Sequence, residues 1–393
     1  MKLNGKHPDS GAKLKAFLIV CFGEKNRTTR AWAEEIFEEM KALCVTAGIT
    51  IVNPARQADE SSGGLYRLRR IDPRYYLSTG IVEQAAADAK SAEADLALVA
   101  FEMSPSQQSH LAEKLGLTVR SKTEIIYEIF LKRSSSAISK IQIELANLRY
   151  IKSRLVGSYE GMDRIRGGIG MRGGPGETKL ETDRRTIGRK IASLRDELKK
   201  YEKHFDQLYS DRKDQAAVSI VGYTNAGKTS LLNALTKADE KAENLLFSTV
   251  EVRTRPMYVE RGFSVLLSDT IGFIRDIPHH LVESFKTTLM EIRYAKLVMV
   301  VVDASSPFRD EHLRVTGKVL EELGCVSIPR ITVYNKIDRL DPAAVRQADG
   351  KEAFVSTKTG DGLDGLKQMI VDFFRAAGYG DKTARSGGEK GAE

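Results

Sequence analysis

"AVSIVGYTNAGKTSLLNAL", Ala217 to Leu235, runs from an apolar stretch through a glycine-bounded loop into a helix-forming segment. Gly222, four residues, then Gly227-Lys228-Thr229 is the phosphate-loop spacing, and the strand before it and helix after it are the context that gives the pattern meaning. Backbone N–H groups of the bend, from Gly222 through Tyr223, Thr224, Asn225, Ala226 and Gly227, can cradle phosphate oxygens at the positive end of the helix. Lys228 is expected to reach the β/γ-phosphates and the Thr229 hydroxyl to ligate Mg²⁺, with Ser230 next in the contact set.

Three further segments follow in the order a nucleotide site requires. "FSVLLSDTIGF" ends an apolar strand at Asp269, forty residues after Thr229. Its carboxylate can hold Mg²⁺ through water, and after Thr270 and Ile271, Gly272 lets a backbone N–H approach a γ-phosphate. "ITVYNKID" delivers Asn335, Lys336, Ile337 and Asp338 to the end of another strand. The Asp338 carboxylate can accept from guanine N1–H and the 2-amino group. Adenine offers no such pair, and losing a buried designed pair costs ~10⁴-fold in discrimination. Asn335 can tie this segment to the phosphate loop, and the Lys336 stem can lie over the base. "FVSTKTG" supplies Ser356, Thr357 and Lys358, whose backbone could meet guanine O6. The intervening "LLFSTVEVRTRP" is the candidate switch, Phe247, Ser248, Thr249, Val250 and Glu251. Thr249 is the candidate second Mg²⁺ ligand, with Ser248 and Thr254 as competitors. Lys228, Thr249, Asp269 and Gly272 form the candidate catalytic set for Mg²⁺-dependent hydrolysis of GTP to GDP and phosphate.

Upstream, from Ala16 to Arg133, apolar runs such as "AFLIVCF" and "DLALVAF" alternate with amphipathic segments such as "TTRAWAEEIFEEMKALCVTAG". That alternation implies an N-terminal parallel α/β domain over 16–133. Residues 134–212 carry apolar positions at three–four spacing, including Ile138, Ile141, Leu145 and Leu148, then Ile187, Ile191, Leu194, Leu198, Tyr201, Phe205 and Leu208. Two such segments joined by a loop imply an antiparallel helical hairpin of coiled-coil type. Its tip is "RIRGGIGMRGGPGETKLETDRR", with six glycines between Gly167 and Gly176. Arg164, Arg166, Arg172, Lys179, Arg184 and Arg185 surround them as candidate RNA contacts. About twenty helical residues at ~1.5 Å each would carry that loop roughly 30 Å from its base. Residues 213–378 make the nucleotide domain, and 1–15 and 379–393 are polar tails expected to fray.

The composition agrees with this division. The chain has 393 residues, 41% of them hydrophobic, enough for several cored domains, and a formal net charge of +8 that favours a polyanionic partner. Cys21, Cys44 and Cys325 lie far apart, with neither metal-ligand nor paired spacing. No apolar run approaches the ~18 residues of a membrane span and no signal-peptide core is present, so a cytoplasmic protein is expected.

From Ala16 to Gly378 the chain resembles the HflX family of translation-factor-class GTPases, in "GYTNAGKTSLLNAL", "DTIGFI", "NKID" and above all "GGIGMRGGPGETKLETDRR". The resemblance implies an α/β domain and helical hairpin joined to a Ras-like P-loop GTPase domain. It also implies binding of the large ribosomal subunit and its rRNA by a monomer, partly ribosome-associated in the cell, that splits or rescues stalled and idle ribosomes. The glycines would let backbone approach irregular RNA, and the cationic side chains would neutralise phosphates. An alternative is a regulatory switch that docks protein partners through its coiled coil. Phe273 stands where many Ras-like enzymes carry a glutamine that orients water, so unassisted hydrolysis should be slow; equally, Phe273 can pack beside Leu281 and Phe285. Asn225 could help hold K⁺ beside the phosphates, as an asparagine at this position does in some related GTPases.

Overall fold

The computed structural model describes residues 13–23, 29–53, 63–165, 175–210, 215–237, 246, 247, 249, 252–275, 281, 291–341 and 350–380, with the side chains of 156–180 and 202–214 outside the description. Both polar tails beyond these limits, Arg166, Arg172 and the side chains of Arg164 and Lys179 therefore lie outside the described residues. So do Ser248, Val250, Glu251 and Phe285. The chain divides into two compact units, Met1–Leu198 and Lys199–Glu393.

In the first unit, continuous apolar sequence makes β1 (Lys15–Phe22) a strand buried on both faces. β2 (Thr50–Ile51) and β3 (Leu65–Arg67) pair parallel with its start and end, and β4 (Leu96–Val99) lies along its other edge, followed by β5 (Thr118–Ser121). The helix after β1, α1 (Arg30–Ala47), starts where the Thr29 side chain accepts the Trp32 N–H and stops at Gly48, φ 82°. That left-handed stop is one glycine tolerates without a Cβ penalty. α2 (Thr79–Ser91) precedes β4, and α3 (Pro105–Leu115) and α4 (Lys122–Arg133) flank β5. Both α3 and α4 open on reciprocal capping boxes, Ser104 with Gln107 and Ser121 with Glu124.

Two long helices follow, α5 (Ala137–Ile165) and α6 (Pro175–Ser210). On α5, Ile141 and Leu145 are buried, but so are Gln142, Ile143 and Ala146. That helix is covered on more than one face because it packs on α3 and α4. Among the described side chains of α6, the buried ones are Ile191, Leu194 and Leu198. Lys190 Nζ on α6 reaches Glu144 Oε1 on α5 at 2.5 Å. That ion pair brings the two long helices side by side at this level.

The second unit is a six-stranded sheet in the order β11-β10-β9-β6-β8-β7. Its strands are β6 (Ala217–Gly222), β7 (Arg253–Glu260), β8 (Phe263–Asp269), β9 (Leu297–Asp303), β10 (Arg330–Asn335) and β11 (Glu352–Phe354). Only β7 pairs antiparallel. Apolar residues of central β6 and β9 pack against α7 (Lys228–Thr236) and α9 (Leu363–Ala376), while α8 (Arg309–Glu322) joins β9 to β10. The carboxyl ends of β6, β8, β9 and β10 thus open at one edge of the sheet, where ligands of such folds bind.

Candidate nucleotide-binding site

A cavity of about 380 Å³ opens at that edge. Its wall contains Thr224, Asn225, Gly227, Lys228, Thr229 and Ser230 of the phosphate loop, and Phe247, Thr249, Thr270 and Gly272 of the switch segments. Asn335, Lys336, Asp338, Thr357 and Lys358 complete it from the base-recognition side. Gly222, Tyr223, Ala226, Asp269, Ile271, Ile337 and Ser356 do not line it and act from behind the wall.

The loop is shaped by positions that reject side chains. Gly222 (φ 151°) leaves no room for a Cβ against the Val301 carbonyl, and Gly227 (φ 93°) none against the Asn335 amide. Three non-glycine residues with positive φ, Asn225 (61°), Phe247 (54°) and Lys336 (65°), all line the cavity. Strained backbone of this kind persists only where surrounding structure over-determines it. Here Asn335 Nδ2 donates to the Ala226 carbonyl at 2.9 Å and Lys336 Nζ to the Asn225 carbonyl at 2.8 Å.

Lys228 is only 6% exposed and donates to the Tyr223 carbonyl at 3.0 Å. Burial pushes its ammonium down to about 8 from an ordinary 10.5, partly resisted by the Asp269 charge. A buried cation this poorly compensated is a receptor for an anion. Asp269 is fully buried, and Oδ2 accepts from Thr229 Oγ1 and Thr249 Oγ1, each at 2.7 Å, with the two hydroxyls 3.0 Å apart. Burial raises the Asp269 carboxyl above its usual range against the pull of Lys228 and the two threonines. Its Oδ1 is buried with no hydrogen-bond partner among the described residues. Two hydroxyls and a carboxylate with one oxygen orphaned, gathered in one place, fit a hard divalent cation such as Mg²⁺. Thr254, the other described competitor for this role, is bonded instead to Ser268 on β8 at 2.9 Å.

The base-recognition side is built from a buried serine outward. Ser356 Oγ donates to Asp338 Oδ1 at 2.7 Å and accepts the N–H groups of Lys358 (3.2 Å) and Thr359 (3.1 Å). One carboxylate oxygen of Asp338 is thus fixed and its side chain remains exposed to the cavity. Phe273, by contrast, is 2% exposed and belongs to the core. Its backbone pairs with the phosphate loop, and its ring is not at the cavity wall.

Two contributors escaped the sequence reading. Asp303, at the end of β9, holds Lys336 Nζ at 2.8 Å. Burial would raise this carboxyl, but Lys336 and Ser305 outweigh it and hold it below the usual range. Its signal was a charge ending the apolar run "LVMVVVD". Arg339 lines the cavity directly after Asp338, and nothing in the local pattern distinguishes it. A larger hollow of about 570 Å³ between α3 and α5 in the first unit has no such convergence. Its Arg154 is engaged by the Met103 carbonyl and Gln108, and its Glu124 by the Ser121 N–H.

Comparison with known proteins agrees with this geometry. Residues 217–336 match the family described as 50S ribosome-binding GTPase, 34–131 match GTP-binding GTPase N-terminal, and 133–212 match GTP-binding GTPase Middle Region. GTPase HflX of Escherichia coli K12 is 35% identical over 348 residues, covering 86% of this chain and 79% of that one. A GTP-binding protein from Sulfolobus solfataricus, in complex with GDP, aligns with 93% of this chain and 100% of its own at 22% identity and a TM-score of 0.46. GTPase HflX of Caldanaerobacter subterraneus is 42% identical over 339 residues, 86% of this chain and 76% of that one. A chain that keeps this much of such a sequence over most of its length, with the phosphate loop and guanine-reading strand in place, belongs to the HflX family of GTPases.

Proposed function

We propose that this GTPase binds the large ribosomal subunit in its GTP state, separates stalled or idle ribosomes, and uses hydrolysis to let go. The single observation behind the nucleotide half is the convergence of Thr229, Thr249 and the buried Asp269 beside the poorly compensated Lys228. Thr229 and Thr249 would hold Mg²⁺ directly and Asp269 through water; the ion would supply positive charge to neutralise the phosphates. Lys228 binds phosphate oxygen, Gly272 offers its N–H to the γ-phosphate, and Asp338, braced by Ser356, reads the guanine edge. With Phe273 committed to the core, no side chain at that position orients water, and unassisted turnover is slow. K⁺ beside Asn225 would add positive charge near the phosphates; equal rates in K⁺ and Na⁺ buffers would remove that element.

Membership of the HflX family, the net charge of +8 and the glycine-rich basic stretch 164–185 support the ribosomal half. The test is co-sedimentation with purified large subunits, with and without a non-hydrolysable GTP analogue, for wild type and a Gly167–Gly176 deletion. The reading requires analogue-dependent, salt-sensitive binding that the deletion abolishes. Binding that survives both RNase and the deletion would instead indicate a switch acting through protein partners.

A further inference from the structure

The peptide carrying Gly272 is held in place by a device that none of the nucleotide motifs describes. β6 and β8 run in parallel register up to the pair Ile220–Asp269, and pairing resumes at the bridge Tyr223–Phe273. Val221 and Gly222 on one strand therefore face Thr270, Ile271 and Gly272 on the other. The extra residue is absorbed as a bulge, the usual means of re-aiming a strand beside an active site. Gly272, last residue of that bulge, lies on the cavity wall, close enough that a Cβ on it would meet Lys228 Nζ at 3.0 Å.

Beyond the bulge the peptide is fastened at three points. Phe273 N–H donates to the Gly222 carbonyl at 3.0 Å, and Thr224 N–H donates to the Phe273 carbonyl at 2.6 Å. One step further, Arg275 N–H donates to the Tyr223 hydroxyl at 3.0 Å. The first two fasteners are backbone and independent of residue type; the third needs a tyrosine. The Tyr223 ring does not face the cavity, but lies on the His312 ring of α8, centroids 3.9 Å apart and 17° from parallel. Tyr223 is 6% and His312 7% exposed, so the ring is fixed and its hydroxyl cannot follow a drifting peptide.

We propose that Tyr223 is a positioning residue for hydrolysis, a phosphate-loop side chain that pins the peptide leaving the bulge at Arg275 and so helps set where the Gly272 N–H meets the γ-phosphate. It contributes nothing to the bound diphosphate, which Gly272 does not sense. The proposal rests on the reading of the cavity as a GTP site.

Tyr223→Phe keeps the ring and its stack and removes the hydroxyl that holds the Arg275 N–H. Its kcat for GTP should fall roughly three- to tenfold, the equivalent of one hydrogen bond. KM and GDP affinity should stay within error of wild type, and the melting temperature should fall by no more than the loss of one hydrogen bond explains. Amide exchange at Arg275 should be slow in wild type and faster in the variant. A wild-type kcat in Tyr223→Phe, or a loss shared equally by GDP affinity and thermal stability, overturns the proposal, as does an unprotected Arg275 amide in wild type. A wild-type chain that binds neither GTP nor GDP would remove the cavity reading and this proposal with it, whereas the preceding outcomes remove this proposal alone.

Discussion

Lys228 carries an electrostatic conflict that the protein does not resolve by itself. It sits in a buried place that disfavours its charge, and the fold keeps it there because the ligand supplies what the protein lacks. The consequence for pH follows from proton counting. Its folded value, about 8, lies below the ordinary 10.5, so between those limits the unfolded chain binds more protons. Stability of the nucleotide-free protein therefore rises with pH across that window, and the penalty is fully present below it. Lys228→Met should abolish this rise, seen as a melting-temperature difference between variant and wild type that narrows from pH 8 to 10.5. The same variant should lose roughly 10- to 100-fold in GTP affinity by calorimetry, through loss of a charge-assisted contact. A variant less stable than wild type at pH 8 would show that the ammonium is not the strained element. Lys228 and Asp269 are plain in the sequence; the Tyr223 carbonyl that Lys228 leans on is not.

At the scale of elements, caps and seams were readable because they are local. Thr29 opens α1 and Gly48 closes it, and Ser104 before Pro105 opens α3. The strand read from Asp95 to Phe101 is shorter, Leu96–Val99, and matches β5 beside it, which ends at Ser121 where α4 begins. Less legible is the start of α4, where Lys122 occupies the first turn, an unfavourable place for a cation against the helix dipole. Glu39 of α1 explains it, at 2.6 Å with the two side chains 9% and 10% exposed. Removing one partner of so buried a pair strands the other. Lys122→Met should therefore destabilise the protein by about 3 kcal/mol in denaturant melts, and adding Glu39→Leu should restore most of it. Additive losses in the double variant would refute that coupling.

For the whole molecule, the expected partner is a polyanion, and its signature is salt dependence. Arg184 and Arg185, the described cations of the basic stretch, are both exposed on α6. If each neutralises one phosphate, Arg184→Ala and Arg185→Ala should each weaken large-subunit binding and reduce the slope of log K against log salt by roughly one unit. GTP hydrolysis without ribosomes should be untouched. An unchanged slope would place these arginines off the RNA.

The sequence by itself determined the phosphate loop, the order of the nucleotide segments and the parallel sheets, since each is written in spacing across neighbouring residues. Only tertiary structure decided that Asn335 would brace Ala226 from 109 residues away, that Asp303 would hold Lys336, and that Tyr223 would turn from the cavity onto His312. Those contacts depend on strand register and helix placement, which are settled by packing the entire core at once, and no local pattern encodes them.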